Sequence, residues 1–211
     1  MITTRESDAL DDPGTPVRTP GSNARIDSFF DGSQMGSLMR SIDWSKTALG
    51  PVSGWSQALK TIVGVLLRSP NPMHLAWGPE LVQFYNDANR PILGDKHPQS
   101  MGRPLKESWA NVWRLVESKF ASALAGQPVT WSGGQPLLLD RKGFFEETYF
   151  TTAYCPVPDE TTASGFGGVL SIVTETTEQV FVERQIKTRR EIATRVAGSQ
   201  RRWKHAGIGS R

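Results

Sequence analysis

The segment that decides the fold is Phe144–Pro156, which reads FFEETYFTTAYCP. Large and polar side chains alternate along it with a period of two, which predicts a β-strand. One side of this strand carries Phe145, Glu147, Tyr149, Thr151 and Ala153, and the other carries Glu146, Thr148, Phe150 and Thr152. Two more strands are predicted beside it: Gly167–Thr174, an apolar run typical of a buried strand, and Val129–Leu139, interrupted by Gly133-Gly134.

The elements upstream of these strands follow from the same reasoning. Met73–Trp77 and Leu81–Asn86, joined by Gly78-Pro79, predict a hairpin. Trp109–Ala125 has one apolar face and predicts the longest core helix. Trp55–Arg68 predicts another helix, with Ser53 as its N-cap. The order predicts an α+β domain, an antiparallel sheet with helices on one face and a cavity between sheet and helix.

Composition excludes several classes of protein. A length of 211 residues and a net charge of +3 fit one domain with tails and no strong bias toward polyanions. A single cysteine, Cys155, excludes an intrachain disulfide and a cysteine-rich metal site. There is neither a run of about 18 apolar residues nor a signal-peptide pattern, so we expect no membrane segment and a cytoplasmic location.

The chain divides into five predicted segments. Residues 1–25 are rich in polar residues and proline and predict a disordered lead. Residues 26–72 predict a helical extension, and residues 73–177 the sheet-containing domain. Residues 178–197 predict a charged exit helix, whose heptad-like apolar positions are interrupted by Arg189. Residues 198–211 predict a basic, disordered tail.

The element order resembles that of the PAS sensory fold, and short motifs strengthen the resemblance. Phe84–Ala88 followed by Ile92-Leu93-Gly94 is similar to the Asn-x-Ala and Leu-x-Gly signature after the second PAS strand. Met101–Pro104 resembles the Gly-Arg step that follows, and Val173–Thr177 resembles the Asp-x-Thr junction, with Glu175 in place of Asp. Two longer strings, 43–51 and 77–81, resemble the N-terminal PAS modules of bacterial hybrid sensor histidine kinases.

This resemblance implies a signal-input module of a two-component system. Such a module binds a small molecule or a partner and relays the change through its exit helix, here through Glu175, Thr176, Thr177 and Ile186. The resemblance also implies a homodimer formed through the exit helix, and a downstream GAF or kinase module. Neither a His-Glu-x-x-x-Pro phosphoacceptor box nor a glycine-rich ATP lid occurs in the sequence, so we expect no kinase activity from this chain.

The aromatic residues of the predicted core are the candidates for a ligand site. With the adjoining polar residues the candidate set is Trp77, Phe84, Tyr85, Asn86, Trp109, Trp113 and Tyr149. The same side chains fill a core as readily as they line a pocket, so both interpretations stay open.

Cofactors, catalysis and nucleic-acid binding find little support in the residue pattern. Haem would need an axial ligand such as histidine on the helix Trp109–Gly126, which has none, and a flavin photoreceptor would need a cysteine near Gly102-Arg103-Pro104. No catalytic triad or phosphate loop is recognisable. The basic stretch Arg184–Arg211 favours a solvated helix over a nucleic-acid contact. A stand-alone interaction module, protein- or nucleic-acid-binding, is the alternative.

Overall fold

A computed structural model of the chain describes residue 30 and residues 32–132, 136–140 and 143–206. The predicted disordered lead, the Gly133-Gly134 interruption and the end of the predicted tail lie outside these residues. The helices are α1 (Gln34–Ser41), α2 (Gln57–Arg68), α3 (Arg90–Leu93), α4 (Leu105–Ser108), α5 (Trp113–Leu124) and α6 (Thr177–Ala206). The strands are β1 (Met73–Trp77), β2 (Val82–Tyr85), β3 (Val129–Ser132), β4 (Leu137–Asp140), β5 (Phe145–Thr148), β6 (Phe150–Pro158) and β7 (Phe166–Glu175).

Five strands form one antiparallel sheet in the order β2-β1-β7-β6-β3. The predicted α+β class and the five-stranded antiparallel sheet are therefore confirmed, as is the helix that leaves the last strand. Strands β4 and β5 form a separate two-stranded hairpin, which the sequence does not predict. This hairpin follows β3 and leads directly into β6.

The predicted strand Phe144–Pro156 is interrupted at Tyr149. The backbone N–H of Thr176 donates to the carbonyl oxygen of Tyr149 at 2.7 Å, and the backbone N–H of Tyr149 donates to Thr177 Oγ1 at 3.0 Å. These two bonds tie Tyr149 to the start of α6. Residues before Tyr149 belong to the hairpin, and residues after it belong to the main sheet.

The two faces of the sheet are covered by different parts of the chain. One face of β1 and β2, with Leu75 and Phe84, packs against α1 and α2 in a cluster that includes Trp44 and Trp55. The Trp44 ring stacks on Phe84 with centroids 5.1 Å apart, and Trp55 meets both rings edge-on. The N-terminal extension thus seals the sheet face that points away from α5.

Several boundaries differ from the prediction. Helix α2 starts at Gln57, and its N-cap is Ser56 rather than Ser53, because the Ser56 hydroxyl accepts from the Leu59 N–H. The predicted helix Trp109–Ala125 begins only at Trp113, since Trp109 and Val112 leave helical geometry, with ψ values of 25° and 0°.

The exit helix is longer than predicted. It continues to Ala206, although Gly198 suggests an end at residue 197. A single glycine costs a helix only about 1 kcal/mol, and the residues after it are mostly good helix formers. The described helices include none that is both long and apolar enough to cross a membrane.

Candidate functional site

A cavity of about 100 Å³ lies between the inner face of the sheet, helix α5 and the hairpin β4–β5. Most of its wall is apolar, with side chains from α3, α4, α5 and both sheets. Five polar side chains also face it: His74, Asn89, Thr152, Tyr154 and Ser171. The cavity is smaller than the ~300–1,000 Å³ typical of drug-sized ligand sites.

Three of the polar residues form a row across the sheet. His74 in β1 lies opposite Ser171 in β7, and Ser171 lies opposite Tyr154 in β6. Residues directly opposite in an antiparallel sheet point to the same face, so all three are directed to the cavity side. Burial raises the pKa of the Tyr154 phenol to about 12, so this hydroxyl is protonated at neutral pH.

A hydrogen-bond network fixes the protonation of His74. The Gln83 amide nitrogen donates to Pro104 O at 3.3 Å and to Ser108 Oγ at 3.0 Å, and the Trp109 indole N–H donates to Gln83 Oε1 at 3.2 Å. Because His74 Nε2 lies 3.2 Å from that same acceptor oxygen, Nε2 carries the proton. Burial lowers the pKa of His74 to about 4, so the ring is neutral at physiological pH.

Two cavity residues have unsatisfied polar atoms. Asn89 Oδ1 and Ser171 Oγ have no hydrogen-bond partner among the described residues. Both residues are buried, with 1% and 3% of their surface exposed. Neither residue belongs to the ligand set predicted from the sequence, although a serine inside the apolar run Gly167–Thr174 is a signal that points to the site.

Trp109 is the one member of the predicted ligand set that lines the cavity in the described part of the chain. Trp77 and Phe84 lie on the opposite face of the sheet, in the cluster with α1 and α2. Trp113 packs on Phe120 beside the cavity, with ring centroids 6.2 Å apart. The prediction that these residues surround one pocket is wrong for Trp77 and Phe84, because alternate strand residues face opposite sides.

The predicted polar ligands Tyr85 and Asn86 have structural contacts instead. The Tyr85 hydroxyl lies 3.0 Å from His97 Nδ1. Asn86 accepts from the N–H groups of Met73 and Asn89 and donates to the carbonyls of Ser69 and Asn71, so its amide ties the turn after β2 to the start of β1 and to the segment before it. Neither residue lines the cavity.

Tyr149 also lies outside the cavity, at the contact between the hairpin and α6. Its hydroxyl donates to Glu147 Oε1 at 2.6 Å and accepts from Arg184 Nη2. Arg184 Nη1 forms an ion pair with the same Glu147 oxygen at 2.8 Å, and the Phe181 ring meets the Tyr149 ring edge-on. We call these four residues, Glu147, Tyr149, Phe181 and Arg184, the helix clamp.

The hydrogen bonds of the clamp favour an ionised Glu147 and a neutral Tyr149. Hydrogen bonds from Tyr149 and Arg184 hold the pKa of Glu147 below its usual value. The hydrogen bond to Glu147 raises the pKa of Tyr149. The clamp therefore contains a carboxylate, a neutral phenol and a guanidinium at neutral pH.

The predicted relay residues divide into two groups. Glu175, Thr176 and Thr177 lie at the junction of β7 and α6, where Thr177 Oγ1 donates to Glu175 Oε1 at 2.9 Å and accepts from the Tyr149 N–H. Ile186 lies further along α6 and is 45% exposed. The first group is thus tied to the clamp, and Ile186 belongs to the exposed side of the helix.

Comparison with known proteins gives the fold only. No protein-family model and no curated protein matches the chain. Solved structures do: the PAS domain of BvgS from Bordetella pertussis is 15% identical, covers 63% of this chain and 97% of its own, and has a TM-score of 0.39. A sensory box sensor histidine kinase from Vibrio cholerae is 15% identical over 56% of this chain and 92% of its own, with a TM-score of 0.39.

A third similar structure, an RNA-binding light-oxygen-voltage receptor, is 16% identical, covers 72% of this chain and 42% of its own, and has a TM-score of 0.46. The deciding observation is the chain's own topology, with two strands, short helices, a longer helix and three further sheet strands in the order β2-β1-β7-β6-β3. The fold is PAS-like. The hairpin β4–β5 lies between β3 and β6 in the chain but outside the main sheet, and it closes one side of the cavity.

Proposed function

We propose that this chain is a sensory input module of a two-component histidine kinase system, in which occupancy of the cavity is relayed to the exit helix. One observation carries the proposal: the hairpin β4–β5 contacts both parts. Leu137 and Leu139 of β4 line the cavity, and Glu147 of β5 is paired with Arg184 of α6. A molecule that moves the hairpin would therefore act directly on the helix clamp.

The relay works by population shift. A ligand that binds one arrangement of hairpin and sheet more tightly than another changes the balance between them, and equal affinity for both arrangements transmits nothing. Because Thr176 and Thr177 bond to the backbone of Tyr149, a displacement of Tyr149 reaches the first turn of α6. The chain itself would have no catalytic step in this scheme.

We further propose that the output is read in a homodimer paired through α6. Val182, Ile186 and Val196 are each about half exposed, and with Ala193 they follow a heptad spacing. An unpaired helix with such a face gains by burying it against a second copy. A downstream GAF or kinase module would then respond to the angle between the two helices.

Two measurements test this function. Native mass spectrometry of protein purified from its own host should show a small retained mass in each chain. Light scattering should give a dimer for the full chain and a monomer for a version ending at Thr177. The proposal would be contradicted if the host-purified protein carries no ligand and the full chain is also monomeric at high concentration.

A protein-interaction module is the second candidate, and the outer face of the hairpin favours it. Leu138 and Phe145 are 57% and 66% exposed there. In this alternative a partner protein covers the hairpin and moves the clamp from outside. Substituting both residues with threonine would then abolish partner binding and leave the cavity unchanged.

A further inference from the structure

The unsatisfied atoms in the cavity wall indicate the chemistry of its ligand. Asn89 Oδ1 can only accept a hydrogen bond, whereas the Ser171 hydroxyl can donate or accept. Neither atom has a partner among the described residues, and both residues are almost completely buried. Buried polar groups are nearly always hydrogen-bonded, so we expect a ligand of this cavity to form hydrogen bonds with both atoms.

The cavity volume limits the size of that molecule. A cavity of ~150 Å³ in another protein accommodates benzene, which has six carbon atoms. The cavity here measures about 100 Å³. It therefore has room for about four or five non-hydrogen atoms when scaled from that example.

The cavity wall also limits the charge. The lining residues include no aspartate, glutamate, lysine or arginine among those the structure describes. His74, the titratable base in this wall, is held neutral by burial, and its Nε2–H donates a hydrogen bond to Gln83 Oε1. An ion would lose its hydration there without an opposite charge in the wall, so the site favours a neutral molecule.

We propose, building on the sensory function above, that the cavity binds a small neutral amide or alcohol of about four or five non-hydrogen atoms. Its N–H or O–H group donates to Asn89 Oδ1, and its oxygen accepts from the Ser171 hydroxyl. Its short alkyl part lies against the apolar wall, which includes Val116 and Phe120 of α5. Trp109 lines the same cavity and reports on binding through its indole N–H.

Three probes of equal size separate these requirements. Propionamide has a donor and an acceptor, methyl acetate has acceptors only, and propionate is charged. Each is titrated into the full chain to about 50 mM, a range set by the low affinity of so small a ligand, while NMR follows the Trp109 indole N–H. We expect propionamide to bind saturably and about fivefold more tightly than methyl acetate, a difference that corresponds to one hydrogen bond. Propionate should show no saturable binding.

Two variants test the assigned contacts. Asn89→Leu removes the acceptor at similar volume, and Ser171→Ala removes the hydroxyl. Each should weaken propionamide about fivefold, and Asn89→Leu should also remove the preference over methyl acetate. Thermal unfolding and the NMR spectrum of each variant show whether it is folded. If Asn89→Leu does not fold, Ser171→Ala alone tests the assigned contacts.

Some results would overturn the ligand class without touching the sensory function. Equal binding of all three probes, or tighter binding of propionate, would show that the wall does not select as proposed. If no probe shifts the Trp109 indole N–H signal but host-purified protein retains a molecule larger than these probes, the ligand class is wrong and the sensory function stands. Failure of every probe together with ligand-free host protein would overturn both proposals.

Discussion

The buried histidine makes the stability of this domain depend on pH. His74 has a pKa of about 4 in the folded chain and an ordinary value of 6.5 when exposed. Between these values the unfolded chain binds a proton that the folded chain does not, so stability falls as the pH falls. The two pKa values give a loss of about 2 kcal/mol between about pH 7.5 and about pH 5, and about 3 kcal/mol by about pH 4.

The variant His74→Gln isolates this contribution. The amide nitrogen of glutamine takes a position similar to that of His74 Nε2, so it can still donate to Gln83 while it has no proton to gain. Urea unfolding of both proteins at several pH values measures the difference directly. The gap between the two free energies of unfolding should change by about 2 kcal/mol from about pH 7.5 to about pH 5, in favour of the variant at low pH.

Other titratable groups do not affect the comparison between the wild type and His74→Gln. His97 also has a lowered pKa, through burial and the charge of Arg90, but it is present in both proteins. Parallel stability curves for the wild type and His74→Gln would refute the reasoning. That result would mean that the ring takes up a proton in the folded domain as easily as in the unfolded chain.

Three further predictions concern the fold and the clamp. Asn86→Leu should destabilise the chain by about 2–4 kcal/mol in urea unfolding, because it removes four hydrogen bonds between the Asn86 amide and the backbone, whereas Asn71→Ala at an exposed position should change little. Gly168→Ala should separate β1 from β7, since a methyl group there would overlap the Ala76 carbonyl oxygen; a circular dichroism melt unchanged from the wild type would contradict this. Arg184→Gln should speed amide exchange over residues 177–186 by removing the bonds to Glu147 and Tyr149, and Lys187→Gln, an exposed control on the same helix, should not.

The sequence predicts the main sheet well because its strands have strong local patterns. The hairpin Met73–Asn86 and the apolar run Gly167–Thr174 each contain the apolar pattern that burial requires, and the structure places strands at both. Periodicity cannot show that Tyr149 interrupts a strand, because the cause is two hydrogen bonds to residues 176 and 177, distant in sequence. Strands β4 and β5 overlap the predicted strands Val129–Leu139 and Phe144–Pro156, but local pattern does not show that they pair with each other outside the main sheet.

The site was predicted less well than the fold because burial alone does not say which face a side chain takes. Trp77 and Phe84 are as aromatic as Trp109, yet the N-terminal extension covers them. What distinguishes the cavity is polar residues in an apolar setting, Asn89 and Ser171. Their significance becomes visible only in the folded structure, where no hydrogen-bond partner among the described residues reaches Asn89 Oδ1 or Ser171 Oγ.

A filled cavity should change the exit helix, and this link is tested most directly by hydrogen exchange in a cavity-filling variant. Ser171→Leu places a larger apolar side chain in the cavity, and Ser171→Ala is the matched control. Helix α2 lies on the other face of the sheet and reports whether the fold is intact.

The expected result is a change of about threefold or more in amide exchange over residues 145–149 and 177–186 for Ser171→Leu alone, with α2 unchanged. Adding Arg184→Gln should remove the dependence of residues 177–186 on the cavity, while residues 145–149 still respond. Identical exchange of residues 177–186 in Ser171→Leu and Ser171→Ala would contradict the coupling between cavity and exit helix.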